Sequence, residues 1–280
     1  MTFDGTLTTR RRPAAVLSRL GVSLAYGLGA LVVLLVLWEV AATASPSLFF
    51  PPPSVIWDNS VRLFFSGAPG TLFVTDAVTV DVFGTLSRLL IGFALGSLVG
   101  VLVGTAIGRS VALRQLTEPT VEFLRSIPAT ATLPLFIILL GGENGMRVAF
   151  IAYAVMWFVL INTASGVASI HPTVLDMGRV FRIPRWRVLL RIILPAALPR
   201  IFAGLRIGAT VSLLAAVVSE LVLASDGIGY RLVLAQTQFR IADLWSWIAL
   251  LAVLGYLLNT VMELLERRLL AWDRLARVSG

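Results

Sequence analysis

Cysteine is absent from the 280 residues, lysine is absent as well, and histidine occurs once, at His171. Without cysteine there is no disulfide framework, no thiolate nucleophile and no Cys-ligated metal. One histidine cannot build a His-cluster metal site. A Walker A loop places a lysine on the nucleotide phosphates, and this chain has none to place. Any ATP that drives it must therefore be bound by another polypeptide. Charge is also scarce. Only 14% of the residues are charged, against roughly 25% in a soluble domain, a deficit too large for a surface covered by water.

What is present is apolar: 58% of the chain, with a mean hydropathy of +0.90. The apolar residues gather in runs of about 20, the length that crosses a hydrocarbon core of roughly 30 Å. The composition therefore reads as an all-α integral membrane protein. The formal charge of +8 does not point to nucleic acid, because the arginines lie between the apolar runs and not on a soluble face.

Six apolar stretches stand out: Val22–Ala44, Gly84–Gly108, Glu118–Leu140, Val148–Ser169, Pro199–Ala224 and Leu244–Leu265. The third carries Glu122, Arg125, Pro128 and Pro134, and is read as a helix whose charged end snorkels into the interface. Arginine placement tests the topology. With the N-terminus inside, 18 of the 23 arginines fall on the cytoplasmic side, seven of them between spans four and five. Arg62, Arg88, Arg147, Arg231 and Arg240 remain outside or near the outer face. Dropping the third span would put the seven-arginine loop outside, so about six spans with both termini cytoplasmic is the better account. Residues 1–21 then form a cytoplasmic segment, 22–266 one transmembrane domain and 267–280 a cytoplasmic tail.

The first apolar run is longer than the 7–15 residues of a signal-peptide core, which favours an uncleaved first span. Two outer segments, Ser45–Phe83 and Ser225–Asp243, are long enough to hold structure. The first opens on Pro51-Pro52-Pro53, which forces an extended path. The second contains Asp226-Gly227-Ile228-Gly229-Tyr230, a turn followed by a short helix.

The cytoplasmic loop His171–Leu198 is the most informative stretch. Thr173 and Asp176 have capping-box spacing, and Pro184 disfavours helical geometry at Ile183. The short helix between them places Met177, Val180, Phe181 and Pro184 on one face, with Arg179 and Arg182 on another. Such a helix either lies on lipid or docks into a groove of a partner. Arg185–Leu194 reads as the interfacial run-in to span five.

This loop, ending in Ile193-Leu194-Pro195-Ala196-Ala197-Leu198-Pro199, resembles the EAA loop of ABC importer permeases of the binding-protein-dependent type I family, most closely the sulfonate/taurine/nitrate group. Trp38-Glu39, Pro51-Pro52-Pro53-Ser54, Arg125-Ser126-Ile127-Pro128, Asn162-Thr163 and Gly204-Leu205-Arg206 fit the same pattern. So do Gly227-Ile228-Gly229-Tyr230 and Leu264-Leu265-Glu266-Arg267-Arg268. Each is short, but their order spans about residues 30–272.

The resemblance implies a type I importer permease fold with a cytoplasmic coupling helix, seated in a cleft of an ATP-binding subunit. It implies an ATP-driven importer for a small solute such as an organic anion, with no catalytic residue on this chain. Its partners would be two ABC ATPase subunits, a second permease copy, an extracytoplasmic solute-binding protein and lipid. ATP and Mg would sit on the ATPase. The coupling residues would be Asp176, Met177, Gly178, Arg179, Phe181, Arg182, Ile183 and Pro184. The family loop reads Glu-Ala-Ala and then Gly four residues on, and Asp176, Met177, Gly178 and Arg182 occupy those places. Arginine takes φ > 0 less readily than glycine, so the turn is expected to be built differently, with Ile183-Pro184 providing the break.

Few polar groups lie within the spans. Family analogy makes Asn162, Ser219 and Glu220 candidates to line the translocation path. The alternative for Glu220 is an ion pair with Arg231 or Arg88 that holds helices together. Glu39 reads as structural. Gly92, Gly96, Gly100 and Gly104 form a small-residue stripe that suits either a second copy or packing within one. A self-sufficient secondary transporter would be expected to show inverted repeats, and none is visible. A membrane-embedded enzyme finds a poor inventory for acid–base or metal chemistry.

Overall fold

The computed structural model describes residues 13–71, 73–222 and 224–270. The expectations placed on residues 1–12 and 271–280, among them Arg10, Arg11, Arg12, Arg274 and Arg277, lie outside the described residues, as does the side chain of Arg179. Among the described residues the regular structure is entirely helical. The chain divides into two compact units, Met1–Asn59 and Ser60–Gly280.

In the first unit, α1 (Pro13–Ala44) contains the whole first apolar run. The prolines that follow do not keep the chain extended throughout: α2 (Pro53–Phe65) starts on the third of them. Proline suits the first turn of a helix, where its missing N–H would have no partner. Glu39 closes this junction. Its carboxylate accepts the Ser54 N–H at 3.0 Å and the Ser54 hydroxyl at 2.7 Å, while Trp38 stacks obliquely on Phe50 with ring centroids 5.3 Å apart. An acid at the first turn of a helix meets the positive end of its dipole, so Glu39 is structural here.

Among its described residues the second unit holds four helices long and apolar enough to span a membrane, against the five spans expected here: α3 (Ala77–Arg109), α6 (Asn144–Ala168), α8 (Arg185–Leu221) and α10 (Ile241–Leu269). Between them lie α4 (Val111–Ser126), α5 (Ala129–Leu140), α7 (Pro172–Val180) and α9 (Ile228–Thr237). The third predicted span is not one helix. α4 and α5 meet at 89°, because Pro128 pushes Ile127 to ψ 119° and out of the helical region. The 12 residues of α5 rise only about 18 Å.

The return across the bundle is nevertheless required by geometry. The glycines of α3 meet α6 in rising order: Gly92 at Ile151, Gly100 at Val159, Gly104 at Thr163 and Gly108 at Val167. The two helices are therefore parallel, and the chain between Arg109 and Asn144 must travel back to the starting side. The glycine stripe thus packs within one copy. A Cβ at Gly92 would stand 2.7 Å from Ile151, and one at Gly100 would stand 2.8 Å from Val159, so only glycine permits this approach.

α8 runs antiparallel to α6, with Ala197 and Arg200 against Gly166, Gly204 against Asn162 and Gly208 against Val155. α10 reverses again, with Asn259 3.0 Å from Arg206 and Gly255 beside Leu213. α8 widens into a π-helical turn at Leu189–Ile193, just ahead of Pro195. A proline ring clashes with the carbonyl four residues earlier, and the wider turn accommodates it. The core lies where α3, α6 and α8 meet. Phe150, Ile151, Val155, Val159 and Ala216 are fully buried there, and Phe136 of α5 packs edge-on against Phe150.

Candidate functional site

The loop between α6 and α8 folds as expected in outline and departs in two details. α7 begins at Pro172, two residues earlier than a Thr173 cap would allow. The Thr173 N–H is taken by His171 Nδ1 at 3.3 Å, so the Thr173/Asp176 capping box does not form. Proline at the first helical position sets the start, and the sole histidine serves it.

Leu175 packs with Val188, Leu189 and Ile193 at the start of α8. Gly178 is buried on the same side, where a Cβ would lie 3.2 Å from Val188 Cγ2. The opposite side carries Met177 at 56%, Val180 at 78% and Phe181 at 75% exposure, with Asp176 exposed beside them.

The second departure is the turn. Arg182 takes φ +50°, the left-handed conformation that a glycine would supply, contrary to the expectation from residue type. The Phe181 N–H bonds Met177 O at 3.0 Å and the Ile183 N–H reaches Gly178 O at 2.9 Å. The latter is the six-to-one closure of a Schellman cap. Ile183-Pro184 then leads into α8, whose first turn closes with the Val188 N–H on Pro184 O at 3.1 Å. The backbone thus follows the expected glycine geometry with arginine in place. Mechanically the loop joins an exposed apolar stripe to one continuous helix of 37 residues, about 55 Å long.

The far end of α8 carries a second constellation, and it separates the path candidates. Glu220 is 1% exposed. Its carboxylate pairs with Arg88 at 2.5 Å, accepts the Thr85 hydroxyl at 2.8 Å and accepts the Gly229 N–H at 3.0 Å. Arg88 also pairs with Asp226, and its Nε donates to Asn144 Oδ1 at 2.8 Å. Arg147 donates to the same oxygen at 2.9 Å and lies 3.8 Å from Asp226. Asp81, also 1% exposed, accepts the Gly227 N–H at 2.9 Å and the Arg231 Nε–H at 2.8 Å.

Three carboxylates and three guanidiniums therefore tie α3, α6, α8, α9 and the turn before α9. Of the two partners open to Glu220 in the sequence, Arg88 is the one it has, and Arg231 belongs to Asp81. Ser219 is fully buried and donates back to Ala216 O at 2.7 Å. In this conformation neither Ser219 nor Glu220 offers surface to a solute. Asn162 lies apart from both. It is half-buried against Gly204, its amide donating to Phe158 O at 2.8 Å.

Sequence reasoning missed Asp81, Thr85, Asn144, Arg147 and Asp226 as members of this cluster. A signal was present, since Asp81, Thr85 and Arg88 repeat at helical spacing ahead of an apolar run. The span was started at Gly84, however, which left Asp81 in a loop. Among the described residues no group of three or more His, Asp or Glu is arranged to hold a metal.

Residues 92–271 match the family model described as binding-protein-dependent transport system inner membrane component. A probable ABC transporter permease protein of Brucella abortus is 30% identical over 84% of this chain and 90% of its own length. The taurine transport system permease protein of Escherichia coli is 31% identical, covering 88% of each chain. Among solved structures, the inward-facing MetNI methionine ABC transporter aligns with a TM-score of 0.60 at 16% identity, over 72% of this chain and 99% of that one. This last likeness speaks to the fold.

Proposed function

This chain belongs to the family of binding-protein-dependent transport system inner membrane components, and on that premise we propose that it is the membrane-spanning permease subunit of an ATP-driven importer. It is a multi-pass inner-membrane protein. The end of the bundle that holds α7, with the arginines around it, faces the cytoplasm, as the positive-inside rule requires. The same rule, applied to the arginines near each terminus in the sequence, supports cytoplasmic termini.

The observation that carries the reading is α7. Met177, Val180 and Phe181 form an apolar stripe exposed at the basic end of the bundle, backed by Leu175 and Gly178 on α8. An amphipathic helix held this way suits a groove in a partner. ATP and Mg are held by two separate ATPase subunits, whose closure presses on α7. α8 carries that displacement toward the outer face. Asp176, Met177, Gly178, Phe181, Arg182, Ile183 and Pro184 form the coupling segment together with Arg179. A second copy of the chain completes the translocation path, with Asn162 the remaining polar candidate on it. An extracytoplasmic binding protein delivers the solute. The taurine relative and the sulfonate-type resemblance support a small organic anion.

The test is Phe181→Asp in the assembled transporter in liposomes. ATP hydrolysis persists, solute uptake falls to background, and the amount of folded permease is unchanged. Normal uptake by this variant would remove α7 from the coupling role. Transport by the permease alone, with no ATPase present, would defeat the reading altogether.

A further inference from the structure

Behind α7 lies a cavity of about 610 Å³, walled by the α3–α4 corner, the α6–α7 loop and the start of α8. That volume is within the range of small-molecule sites. Its charged lining is Arg109, Arg114 and Arg185, and no acid lines it. Six arginines of this unit, Arg88, Arg147, Arg206, Arg231, Arg240 and Arg267, each face a carboxylate. Arg62, Arg125, Arg182, Arg187, Arg191, Arg200 and Arg268 do not, but they lie outside this recess, which gathers only Arg109, Arg114 and Arg185. These three have no carboxylate within ion-pair distance among the described residues. They come from three separate elements and share one recess, where like charges repel unless an anion sits between them. The rest of the wall is apolar, with Val167, Ile170 and Val188 prominent.

We propose that this recess binds the phosphate headgroup of an anionic phospholipid. The planar, forked guanidinium matches phosphate oxygens in pairs, and the apolar wall takes the adjoining glycerol and acyl carbons, which a free phosphate would leave unfilled. Basic recesses between spanning helices are suited to anionic headgroups. The site lies at the ends of α3 and α6, where a headgroup layer meets a spanning bundle. A protein occupant is disfavoured by geometry. α7 contributes Leu175 and Gly178 to the cavity, whereas its exposed stripe of Met177, Val180 and Phe181 is on the other side. A partner seated on that stripe leaves the recess open. The bound headgroup would brace the back of α7 against the α3–α4 corner. This inference does not depend on which solute is carried or on how ATP is used.

The experiment uses the full chain with its accompanying subunits, equilibrated with phosphatidylglycerol or phosphatidylcholine and read by mass spectrometry of retained lipid. Phosphatidylglycerol should be preferred by about a hundredfold, from roughly fivefold per arginine. Each of Arg109→Gln, Arg114→Gln and Arg185→Gln should lower the preference stepwise. The lysine replacements should keep part of it, and Arg187→Gln, outside the recess, should leave it unchanged. The single variants keep the measurement available if the triple variant does not fold. Equal retention of both lipids, or a preference that survives all three substitutions, would overturn the proposal. Displacement of phosphatidylglycerol by millimolar inorganic phosphate would assign the recess to a free anion instead. Loss of the lipid only when the ATPase subunits are bound would assign it to a protein contact.

Discussion

The two ends of α8 are built on opposite principles. At the Arg185 end, α7 is held by a few apolar contacts and one strained turn, and it shows large apolar side chains to its surroundings. At the Leu221 end, six charged side chains are locked together with almost no exposed surface on Glu220, Asp81 or Arg88. A helix clamped at one end and lightly supported at the other transmits a push as a tilt about the clamped end. The difference teaches where motion and stability reside. Substitutions in the clamp should act on folding, and substitutions on α7 should act on coupling.

The largest expected effect tests the clamp. Glu220→Ala leaves Arg88 buried with half of its counter-charge gone and strips Thr85 and the Gly229 N–H of their acceptor. Breaking a buried pair by removing one partner costs about 3–5 kcal/mol. The expected outcome is a sharp drop in folded yield and in the thermal midpoint in detergent. A loss below about 1 kcal/mol would break the comparison, because the cluster would then be ornamental to the fold. Next comes Gly227→Ala. Gly227 sits at φ +108° and ψ 167°, a region essentially confined to glycine, and its new methyl would collide with the Glu220 carboxylate. A loss of about 2–3 kcal/mol follows from strain of this kind, read by the same thermal midpoint.

Phe181→Asp sharpens the contrast from the other side. The side chain is 75% exposed, and exposed substitutions stay within about 0.5 kcal/mol. The midpoint should hardly move while uptake is lost. A variant that fails to fold would show that the stripe is part of the core and not a docking face.

The unequal legibility of the two ends in the sequence has a physical cause. α7 was readable because its signals are local. Helical spacing placed Met177, Val180 and Phe181 together, and Pro184 marked where the helix must already have ended. The clamp was not readable because its members are 132 and 138 residues apart along the chain, as for Arg88 with Glu220 and Asp226. Only tertiary packing brings such groups together, so the sequence could offer Glu220 two arginines but not choose between them. Four of the six expected spans were legible in place, as the helices Ala77–Arg109, Asn144–Ala168, Arg185–Leu221 and Ile241–Leu269. The break at Ile127-Pro128 was not, since an apolar count cannot see an 89° bend. The glycine stripe of α3 was visible, but that it packs on α6 of the same copy followed only from the contacts of the folded chain.

The smallest effect concerns Arg182. Resemblance places a glycine there, and residue type argued that arginine would make the turn differently. The backbone nevertheless enters φ +50°, and the cap bond from Ile183 to Gly178 O forms at 2.9 Å. The conformation is therefore imposed by the surroundings: Leu175 and Gly178 anchor the helix on one side and Pro184 sets the exit on the other. A left-handed conformation costs a non-glycine residue about 1–2 kcal/mol, and glycine returns about 0.5–1 kcal/mol of that through its larger freedom in the unfolded chain. Arg182→Gly should thus raise stability by about 1 kcal/mol or less, whereas Arg182→Ala, which keeps the Cβ and its strain, should leave it unchanged. Equal stability of all three variants would mean that the turn relaxes elsewhere, and the lightly held end of α8 would then be softer still.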